Sequence, residues 1–336
     1  MDTLRKLLLP FVPIYFAVTW LRNLFYDWGI LASKSFNIPI ICVGNLSVGG
    51  TGKTPMIEHV VRLLKNDYKI ATLSRGYGRQ SKGFILADNT VDAKVLGDEP
   101  FQFYSKFGNE VTITVDENRV RGIKTLLKKQ PATALILLDD AFQHRKVKPG
   151  FNILLTTYSS PFFNDILLPT GDLREPRHGY KRANIIVVTK CPEQLSKVEK
   201  ERYVEKIKPL PHQTVMFSSI NYANEVLSEG HENKRLEDLG EFTLVTGIAN
   251  ANPLVAHLKH KNLNFEHLHF KDHHQFKHKD INLLKDKALI LTTEKDYVRL
   301  KSVASLKDKL FYIPITLTVD KENELLARLL AYVGSY

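Results

Sequence analysis

The chain has 336 residues, of which 43% are hydrophobic and 25% are charged, and its formal net charge at pH 7 is +11. These values exclude an intrinsically disordered chain and suit two domains of ordinary size or one large domain. The two cysteines, Cys42 and Cys191, belong to no metal-spaced or redox motif, so a reducing cytoplasm without disulfides is expected. The positive charge favours a polyanionic partner, such as nucleic acid, anionic lipid or a phosphorylated substrate.

The N-terminal run LLLPFVPIYFAVTWL (7–21) contains no charged residue. It is shorter than the roughly 20 apolar residues that span a bilayer, and prolines interrupt it. No small-residue cleavage site typical of a secretory signal peptide follows it. Together with the aromatic residues Trp20, Tyr26 and Trp28, the run predicts a helix within residues 1–30 that lies in the membrane interface, with basic residues on anionic lipid. A helix packed on its own domain is the alternative.

Short apolar runs then alternate with segments of helical periodicity. The runs are nearly all apolar, which is typical of parallel strands that are covered on both faces. Between the first two runs, Thr54–Lys65 has apolar residues at helical spacing and a proline in its first turn. Repeated βα units predict a doubly wound α/β domain over residues 31–206. The predicted strands are 38–43, 69–74, 111–115, 134–139, 151–156 and 184–189.

The pattern changes after this domain. Residues 207–240 contain one strand-like run and a polar segment with turn residues, and they are interpreted as a linker. A second, smaller α/β domain is predicted over residues 241–336. Its expected elements are strands in 242–250, 287–296 and 311–317 and a helix at 253–259.

The segment VGNLSVGGTGKTP (43–55) has the context of a P-loop, because an apolar strand leads into it and an amphipathic helix leads out of it. Its glycines would let backbone N–H groups surround phosphates. Lys53 would hold the β- and γ-phosphates, and the Thr54 hydroxyl would bind Mg²⁺. Ser47 stands where the first glycine of the motif is usual. The predicted nucleotide-binding residues are Ser47, Val48, Gly49, Gly50, Thr51, Gly52, Lys53 and Thr54.

Asp139 and Asp140 end the apolar run ALILL. In P-loop proteins an aspartate at this place completes the Mg²⁺ shell, so at least one of the two is predicted to do so. The alternative is that one of them caps the following turn.

Phosphoryl transfer to a hydroxyl also needs a group that accepts a proton. The candidates are Asp98 and Glu99, in LGDEP, and the histidines of FKDHHQF (270–276). The histidines in and around this motif follow no compact zinc spacing. Arg75 and Arg174 each lie in a glycine-containing loop after an apolar run, which makes them candidates for phosphate binding.

The chain contains, in this order, the motifs GNLSVGGTGKTP, SRGYGR, GDEP, DDAFQHR, LPTGDLREP, FKDHHQF and TTEKD. Together they resemble the family of tetraacyldisaccharide 4′-kinase, an enzyme of lipid A biosynthesis. The resemblance runs from the N-terminal hydrophobic segment to about residue 300. It implies transfer of the γ-phosphate of ATP to the 4′-hydroxyl of a tetraacylated glucosamine disaccharide 1-phosphate, with Mg²⁺.

The resemblance also implies residue roles. Asp98 of the DEP motif would be the catalytic aspartate, and His273 of the DHH motif would assist it, with His274 as the second choice. Asp139 and Asp140 would serve the metal and the nucleotide. The positions that match the family's substrate site are Tyr77, Glu99, Arg119, His144 and Arg174.

Two positions depart from the family's pattern. Ala141 stands where glycine is expected, so a turn with positive φ at that residue is not expected. Asp172 stands where proline is more usual, and its acidic side chain could change how Arg174 meets phosphate.

Two other classes of function compete with this interpretation. A P-loop ATPase switch often carries a second lysine early in its loop, where this chain has Val48. A nucleic-acid-binding module is disfavoured because no such motif is present and the lysines are dispersed. The expected partners are therefore an acylated disaccharide phosphate and an anionic membrane surface, with no nucleic acid and no obligate protein partner. The expected location is the cytoplasmic face of the bacterial inner membrane.

Overall fold

The computed structural model describes residues 3–229, 231–272 and 274–336. In chain order, its strands are β1 (Ile40–Asn45), β2 (Ile70–Ser74), β3 (Ile85–Leu86), β4 (Thr112–Val115), β5 (Leu135–Asp139), β6 (Phe151–Thr157), β7 (Ile185–Thr189), β8 (Thr214–Tyr222), β9 (Glu225–Val226), β10 (Lys234–Arg235), β11 (Phe242–Thr246), β12 (Phe265–His269), β13 (Ile290–Thr293), β14 (Leu310–Ile313) and β15 (Ile315–Val319). Its α-helices are α1 (Thr3–Lys6), α2 (Val12–Asp27), α3 (Lys53–Leu64), α4 (Ala93–Leu96), α5 (Asp98–Phe107), α6 (Arg119–Lys129), α7 (Lys197–Ile207), α8 (Asn252–His260), α9 (His278–Lys285), α10 (Glu294–Leu300) and α11 (Glu322–Val333).

The larger sheet has the strand order β15-β8-β7-β6-β1-β5-β2-β4-β3. Its interior strands run parallel, while the edge strands β15 and β3 are antiparallel to their neighbours. Strands β1, β2, β5 and β7 are buried along their whole length, as expected when helices cover both faces. The strands predicted from apolar runs are present, and the predicted doubly wound α/β fold is confirmed.

Successive residues of β1 face opposite sides of this sheet. Ile41 and Val43 pack in one buried cluster with residues of α3 and α11. Ile40 and Cys42 pack in a second cluster with residues of α6. Because both faces are covered, a ligand can reach the sheet only at the ends of its strands. Strand β1 lies between β5 and β6, and the chain continues from β1 to β2 on one side of it and later to β6, β7 and β8 on the other. In such a sheet, ligands bind at the carboxyl ends of the strands where the strand order reverses, which is here beside β1.

The second sheet is parallel throughout and has the order β12-β11-β13-β14. The domain boundaries differ from the predicted ones. Strand β8, inside the predicted linker 207–240, pairs with β7 in the larger sheet. Strand β15 and helix α11, inside the predicted domain 241–336, return to the larger sheet as well. The second unit is therefore inserted between two segments of the first.

Pro314 separates two strands that the sequence pattern joins. The run 311–317 is predicted as one strand, but β14 ends before Pro314 and β15 begins after it, in the other sheet. Proline has no backbone N–H to donate to a sheet, so it suits the point where the chain leaves one sheet for the other.

Helix α2 turns polar side chains toward the protein and apolar side chains outward. The Tyr15 hydroxyl donates to the Arg174 carbonyl (2.9 Å), and the Asn23 amide donates to the buried Glu175 carboxylate (2.8 Å). Thr19, between them on this face, is also buried. Across the described ranges, no helix has the length and apolar character that crossing a membrane requires. The exposed large apolar side chains in and around α2 are Leu7, Leu8, Leu9, Phe11, Ile14, Phe16, Val18, Trp20, Leu21, Phe25, Trp28, Ile30 and Leu31.

Candidate active site

The loop between β1 and α3 lies at the carboxyl edge of the larger sheet. Gly49 and Gly52 have φ values of 94° and 87°, a region that favours glycine. Gly52 is the N-cap of α3, so the unpaired N–H groups of the first helical turn begin at Lys53. Loop N–H groups and a helix N-terminus together bind phosphate. The predicted nucleotide-binding residues, 47–54, therefore form one continuous loop–helix junction.

Neighbouring segments hold this loop in place. The Asn45 amide donates to the Thr51 hydroxyl (2.8 Å), and the Thr189 hydroxyl at the end of β7 donates to the Thr51 carbonyl (2.8 Å). The Lys190 ammonium donates to the Gly50 carbonyl (2.6 Å). These contacts hold the backbone of the loop in place.

Two cations meet Asp140, which directly follows β5. Arg174 Nη1 donates to both carboxylate oxygens of Asp140 (2.9 and 3.1 Å), and Lys53 Nζ lies 3.7 Å from Oδ2. Burial alone would raise the pKa of Asp140, but the charges of Lys53 and Arg174 outweigh it and hold the pKa below its ordinary value. The residue with positive φ in this turn is Asp140 (47°) and not Ala141, so the alanine is compatible with the turn.

Asp139, the last residue of β5, is buried close to these groups. Its carboxylate accepts a hydrogen bond from the Ser74 hydroxyl at the end of β2 (3.2 Å). Burial, and then the negative charge of Asp140, raises the pKa of Asp139 to about 6, and Glu99 adds to the rise. Glu99 is therefore close enough to the P-loop for its negative charge to raise the pKa of Asp139.

The donor set suits Mg²⁺. Asp139, Asp140 and Thr54 offer two carboxylates and a hydroxyl, and Mg²⁺ prefers oxygen ligands while keeping waters and phosphate oxygens in its shell. Burial and the negative charge of Asp140 together raise the pKa of Asp139, and a bound cation would offset both effects. Among the residues described, no group of three or more His, Cys, Asp and Glu could hold a metal.

Arg119 and His144 present polar atoms that lack partners within the described ranges. Buried Arg119, at the start of α6, donates to the carbonyls of Asp116 (2.8 Å) and Asp139 (3.0 Å), while its Nε is left without an acceptor. Burial lowers the pKa of Arg119 to about 10, so the guanidinium is charged at neutral pH. Burial, and then the charge of Arg119, lowers the pKa of His144 to about 4, so the imidazole is neutral at pH 7. Its buried Nε2 has no hydrogen-bond partner among the residues that the structure describes. Both atoms could bind polar groups of a ligand.

Two glycines bring Tyr77 close to Asp98 and Glu99. A Cβ on Gly97 would lie 3.0 Å from the Tyr77 carbonyl oxygen and 3.2 Å from the carbonyl carbon of Gly76, so the two backbones touch. Both glycines also have positive φ. Because Gly76 follows β2 and Gly97 precedes α5, this contact places an exposed tyrosine beside the two acids that begin α5.

The GDLREP segment packs against the P-loop. The N–H of Val48 donates to the Asp172 carbonyl (2.8 Å), and the N–H of Arg174 donates to the Leu46 carbonyl (2.7 Å). The Asp172 carboxylate pairs with Arg5 of the N-terminal segment (2.8 Å). The side chain of Arg174 pairs with Asp140 instead. The carboxylate of Asp172, the residue that stands where proline is more usual, therefore does not pair with Arg174.

The second unit reaches the site through α10. Arg299 donates to Asp98 Oδ2 through Nε (2.9 Å) and Nη2 (2.5 Å). Lys295 Nζ lies 2.8 Å from Glu99 Oε1. Neither cation is among the sequence-predicted site residues.

A sequence signal for α10 was available. The motif TTEKD is predicted as the end of a strand, whereas β13 ends at Thr293 and α10 follows it. A threonine with an acid three residues later is typical of a helix start. Thr293 does cap α10, with its hydroxyl accepting from the N–H of Asp296 (3.2 Å).

His273, the predicted assistant of Asp98, lies outside the described residues. The second choice, His274, is held within the second unit. Its Nε2 lies 2.9 Å from Asp280 Oδ2, and its ring stacks on Phe270 with centroids 4.7 Å apart.

A P-loop follows β1, two acids stand at the end of β5, and two more, Asp98 and Glu99, begin α5. Together these features define a P-loop phosphotransferase. The comparisons with known proteins name the family. The family model described as LpxK, Tetraacyldisaccharide-1-P 4′-kinase, matches residues 4–334, and the chain belongs to this family. The resemblance drawn from the motifs and the assignment as a kinase are confirmed.

Relatives and a solved structure agree. The chain is 50% identical to the tetraacyldisaccharide 4′-kinase of Flavobacterium johnsoniae over 322 residues, which cover 95% of this chain and 94% of that protein. It is 42% identical to that of Bacteroides thetaiotaomicron over 350 residues, with 96% and 92% covered. The crystal structure of LpxK from Aquifex aeolicus in complex with ATP is similar with a TM-score of 0.79 and 28% identity, covering 98% of this chain and 100% of that one.

Proposed function

We propose that this kinase uses ATP and Mg²⁺ to phosphorylate the 4′-hydroxyl of a tetraacyldisaccharide 1-phosphate, with Asp98 as the proton acceptor, at a membrane surface. The observation that carries the proposal is the convergence of two sets of groups. Lys53 and Arg174 both meet Asp140 beside the P-loop, and Glu99, next to Asp98, acts on the pKa of Asp139. The similar LpxK structure holds ATP, which supports ATP as the donor.

The nucleotide phosphates would lie in the P-loop, with Lys53 at the β- and γ-phosphates. Thr54, Asp139 and Asp140 would hold Mg²⁺, which supplies positive charge to the phosphates when bound. The oxygen of the acceptor hydroxyl would bond to the γ-phosphorus while Asp98 accepts the proton of that hydroxyl. The bond between the γ-phosphorus and the oxygen that bridges it to the β-phosphate would break, and ADP would leave. His273 would assist Asp98. Positioning and electrostatic stabilisation would supply most of the rate enhancement.

The remaining site residues would bind the acceptor. Arg119 and His144 have buried polar atoms without partners in the described part of the chain, and these atoms would bind substrate oxygens. Tyr77 is exposed at the rim and suits contact with a sugar ring. Glu99 and Arg174 would bind the acceptor or orient neighbouring groups, since Glu99 follows Asp98 and Arg174 pairs with Asp140.

The exposed face of α2 supports membrane association. Phe11, Ile14, Val18, Leu21 and Phe25 follow each other at intervals of three and four residues, and each is at least 37% exposed. This spacing forms one continuous apolar stripe on a helix. The polar face of α2 is bound to the protein, so the stripe is free to enter the acyl region of a bilayer, where a tetraacylated substrate is held.

A basic cleft of about 1310 Å³ opens where α2 ends. Tyr26 and Leu31 line one side of it, and α6 lines another. Positive charge next to the end of an apolar helix suits anionic headgroups and, for this chain, the cytoplasmic face of the bacterial inner membrane. The cationic residues that line the cleft are Lys34, Arg121, Lys124, Lys128 and Lys146.

The role of Asp98 is tested by substitution. Asp98→Ala should lower kcat by about 10²- to 10⁴-fold, the range of general-base catalysis, without changing nucleotide affinity. Asp88→Ala is the matched control, because Asp88 is an exposed carboxylate that precedes α4 and bonds to Thr90. An Asp98→Ala enzyme with normal turnover would remove Asp98 from the mechanism.

A further inference from the structure

Helix α10 supplies one cation to each of two consecutive acids at the start of α5. The pair of Arg299 and Asp98 is the more buried of the two, with side chains only 7% and 17% exposed. Nε and Nη2 of the guanidinium both donate to the same oxygen, Oδ2 of Asp98. Two bonds from a planar group to one oxygen restrict the rotation of the carboxylate more than a single ammonium does.

The orientation of Arg299 is itself fixed by the second unit. Its Nη1 lies 3.0 Å from Oδ1 of the fully buried Asp296. Asp296 also accepts hydrogen bonds from the N–H of Gly247 (2.8 Å) and from the Thr293 hydroxyl (2.7 Å). A chain of charge-assisted hydrogen bonds therefore runs from the second sheet to Asp98.

Further polar contacts join α5 and α10. Lys106 of α5 lies 2.6 Å from Glu294 of α10 and 2.7 Å from Glu58 of α3. The Gln102 amide donates to the same two glutamates, Glu58 (2.8 Å) and Glu294 (3.0 Å). Polar interfaces between units of one chain permit relative motion more readily than apolar ones. The two units therefore meet at this point through a network of charged and polar side chains.

We propose that Arg299 is a positioning residue for phosphoryl transfer, which fixes the carboxylate of Asp98 for the acceptor hydroxyl and does so only while α10 is docked on α5. Lys295 meets the neighbouring Glu99 through a single contact. The inference rests on the proposed role of Asp98 as proton acceptor. It makes the second unit part of the active site through a residue of the TTEKD helix.

The test compares Arg299→Gln with Arg299→Lys and with a control at Lys301, the C-cap residue of the same helix. Lys301→Gln is the control, because Lys301 also reaches α5, 3.4 Å from Ser105 Oγ and 4.9 Å from the centre of the Phe101 ring, without contacting Asp98 or Glu99 in the structure. Each full-length variant is measured for kcat, KM for ATP, nucleotide Kd and melting temperature. The acceptor is tetraacyldisaccharide 1-phosphate in detergent micelles.

Arg299→Gln should lower kcat by about 100-fold, the cost of a misplaced catalytic group, while KM and Kd for ATP stay within about twofold. Arg299→Lys should recover about tenfold of that loss, and it carries the test if the glutamine variant does not fold. Lys301→Gln should stay within about twofold of wild type. A kcat of Arg299→Gln near or above the wild-type value, or a loss confined to KM for ATP, would overturn the inference.

A double mutant separates the inference from the proposed function. If Arg299 acts through Asp98, adding Arg299→Gln to Asp98→Ala should cause no further loss of kcat. A further loss comparable to that of the single variant would show that Arg299 acts elsewhere. Full activity of Asp98→Ala would refute the proposed base and the inference with it. An inactive Asp98→Ala beside an active Arg299→Gln would refute the inference alone.

Discussion

The apolar stripe of α2 gives a prediction whose size can be worked out from the structure. Ile14 and Val18 are 61% and 62% exposed, and they lie on the face opposite Tyr15 and Asn23, which bind the protein. Full burial of such a side chain stabilises by about 1.5–3 kcal/mol. Scaled by the exposed fraction, each residue should contribute about 1–2 kcal/mol to membrane binding, and the pair about 2–4 kcal/mol.

The double variant Ile14→Asn/Val18→Asn should therefore bind vesicles roughly 30- to 700-fold more weakly, since each 1.4 kcal/mol is a factor of ten. Binding is measured by flotation of the protein with vesicles that contain an anionic phospholipid. The melting temperature should stay close to the wild-type value, because both side chains are exposed in the free protein.

Val198→Asn is the matched control. Val198 is 74% exposed on α7, so its substitution removes from a different surface an apolar side chain like that of Val18, which is 62% exposed. It should leave vesicle binding unchanged. Equal binding by wild type and the double variant would refute the reasoning, as would a loss of equal size in the Val198 variant.

Three further predictions concern stability and the metal. Gly44→Ala should lower the free energy of unfolding by about 1–3 kcal/mol in a denaturant titration, because the new Cβ would lie 2.6 Å from Phe142 Cβ, and a change below about 0.5 kcal/mol would contradict the close packing there. Burial, and then the charge of Glu58, raises the pKa of Glu294 from 4.5 to about 7, so its contribution to stability is complete below pH 4.5 and is lost as the pH rises through 7. The melting temperature of Glu294→Gln relative to wild type should accordingly rise between about pH 5 and about pH 8, whereas a constant difference would speak against the raised pKa. Chelation with EDTA should abolish phosphate transfer, and added Mg²⁺ should restore it. The Asp139→Asn variant should need at least about tenfold more Mg²⁺ than wild type for half-maximal activity. An unchanged Mg²⁺ dependence of this variant would exclude Asp139 as a ligand of the ion.

The sequence was most informative where one local pattern determines the structure. Strand β1 and the P-loop follow from a continuous apolar run, glycines at positions of positive φ, and a helix that starts at Lys53. The acids at the end of β5 were predictable for the same reason, because parallel strands end at one edge of the sheet. These features depend on residues that are close in sequence.

The sequence was least informative about pairing between distant segments. Nothing in the run 311–317 shows that β14 pairs with β13 while β15 pairs with β8. The interpretation of 207–240 as a linker was wrong for a similar reason, because the pairing of β8 with β7 is not visible in the sequence. The contact of Arg299 with Asp98 joins residues that are 201 positions apart. Such an ion pair depends on how two units dock, which composition and periodicity do not encode.

The central claim is that phosphate passes from the nucleotide in the P-loop to the lipid acceptor, and one assay tests it directly. γ-Labelled ATP is incubated with tetraacyldisaccharide 1-phosphate in detergent micelles, and wild type is compared with Lys53→Ala, which removes the ammonium 3.7 Å from Asp140. We predict that label appears on the lipid with wild type and that the variant loses at least about 100-fold of this activity. ATP hydrolysis by wild type at the same rate with and without the acceptor, and no labelled lipid, would contradict the account.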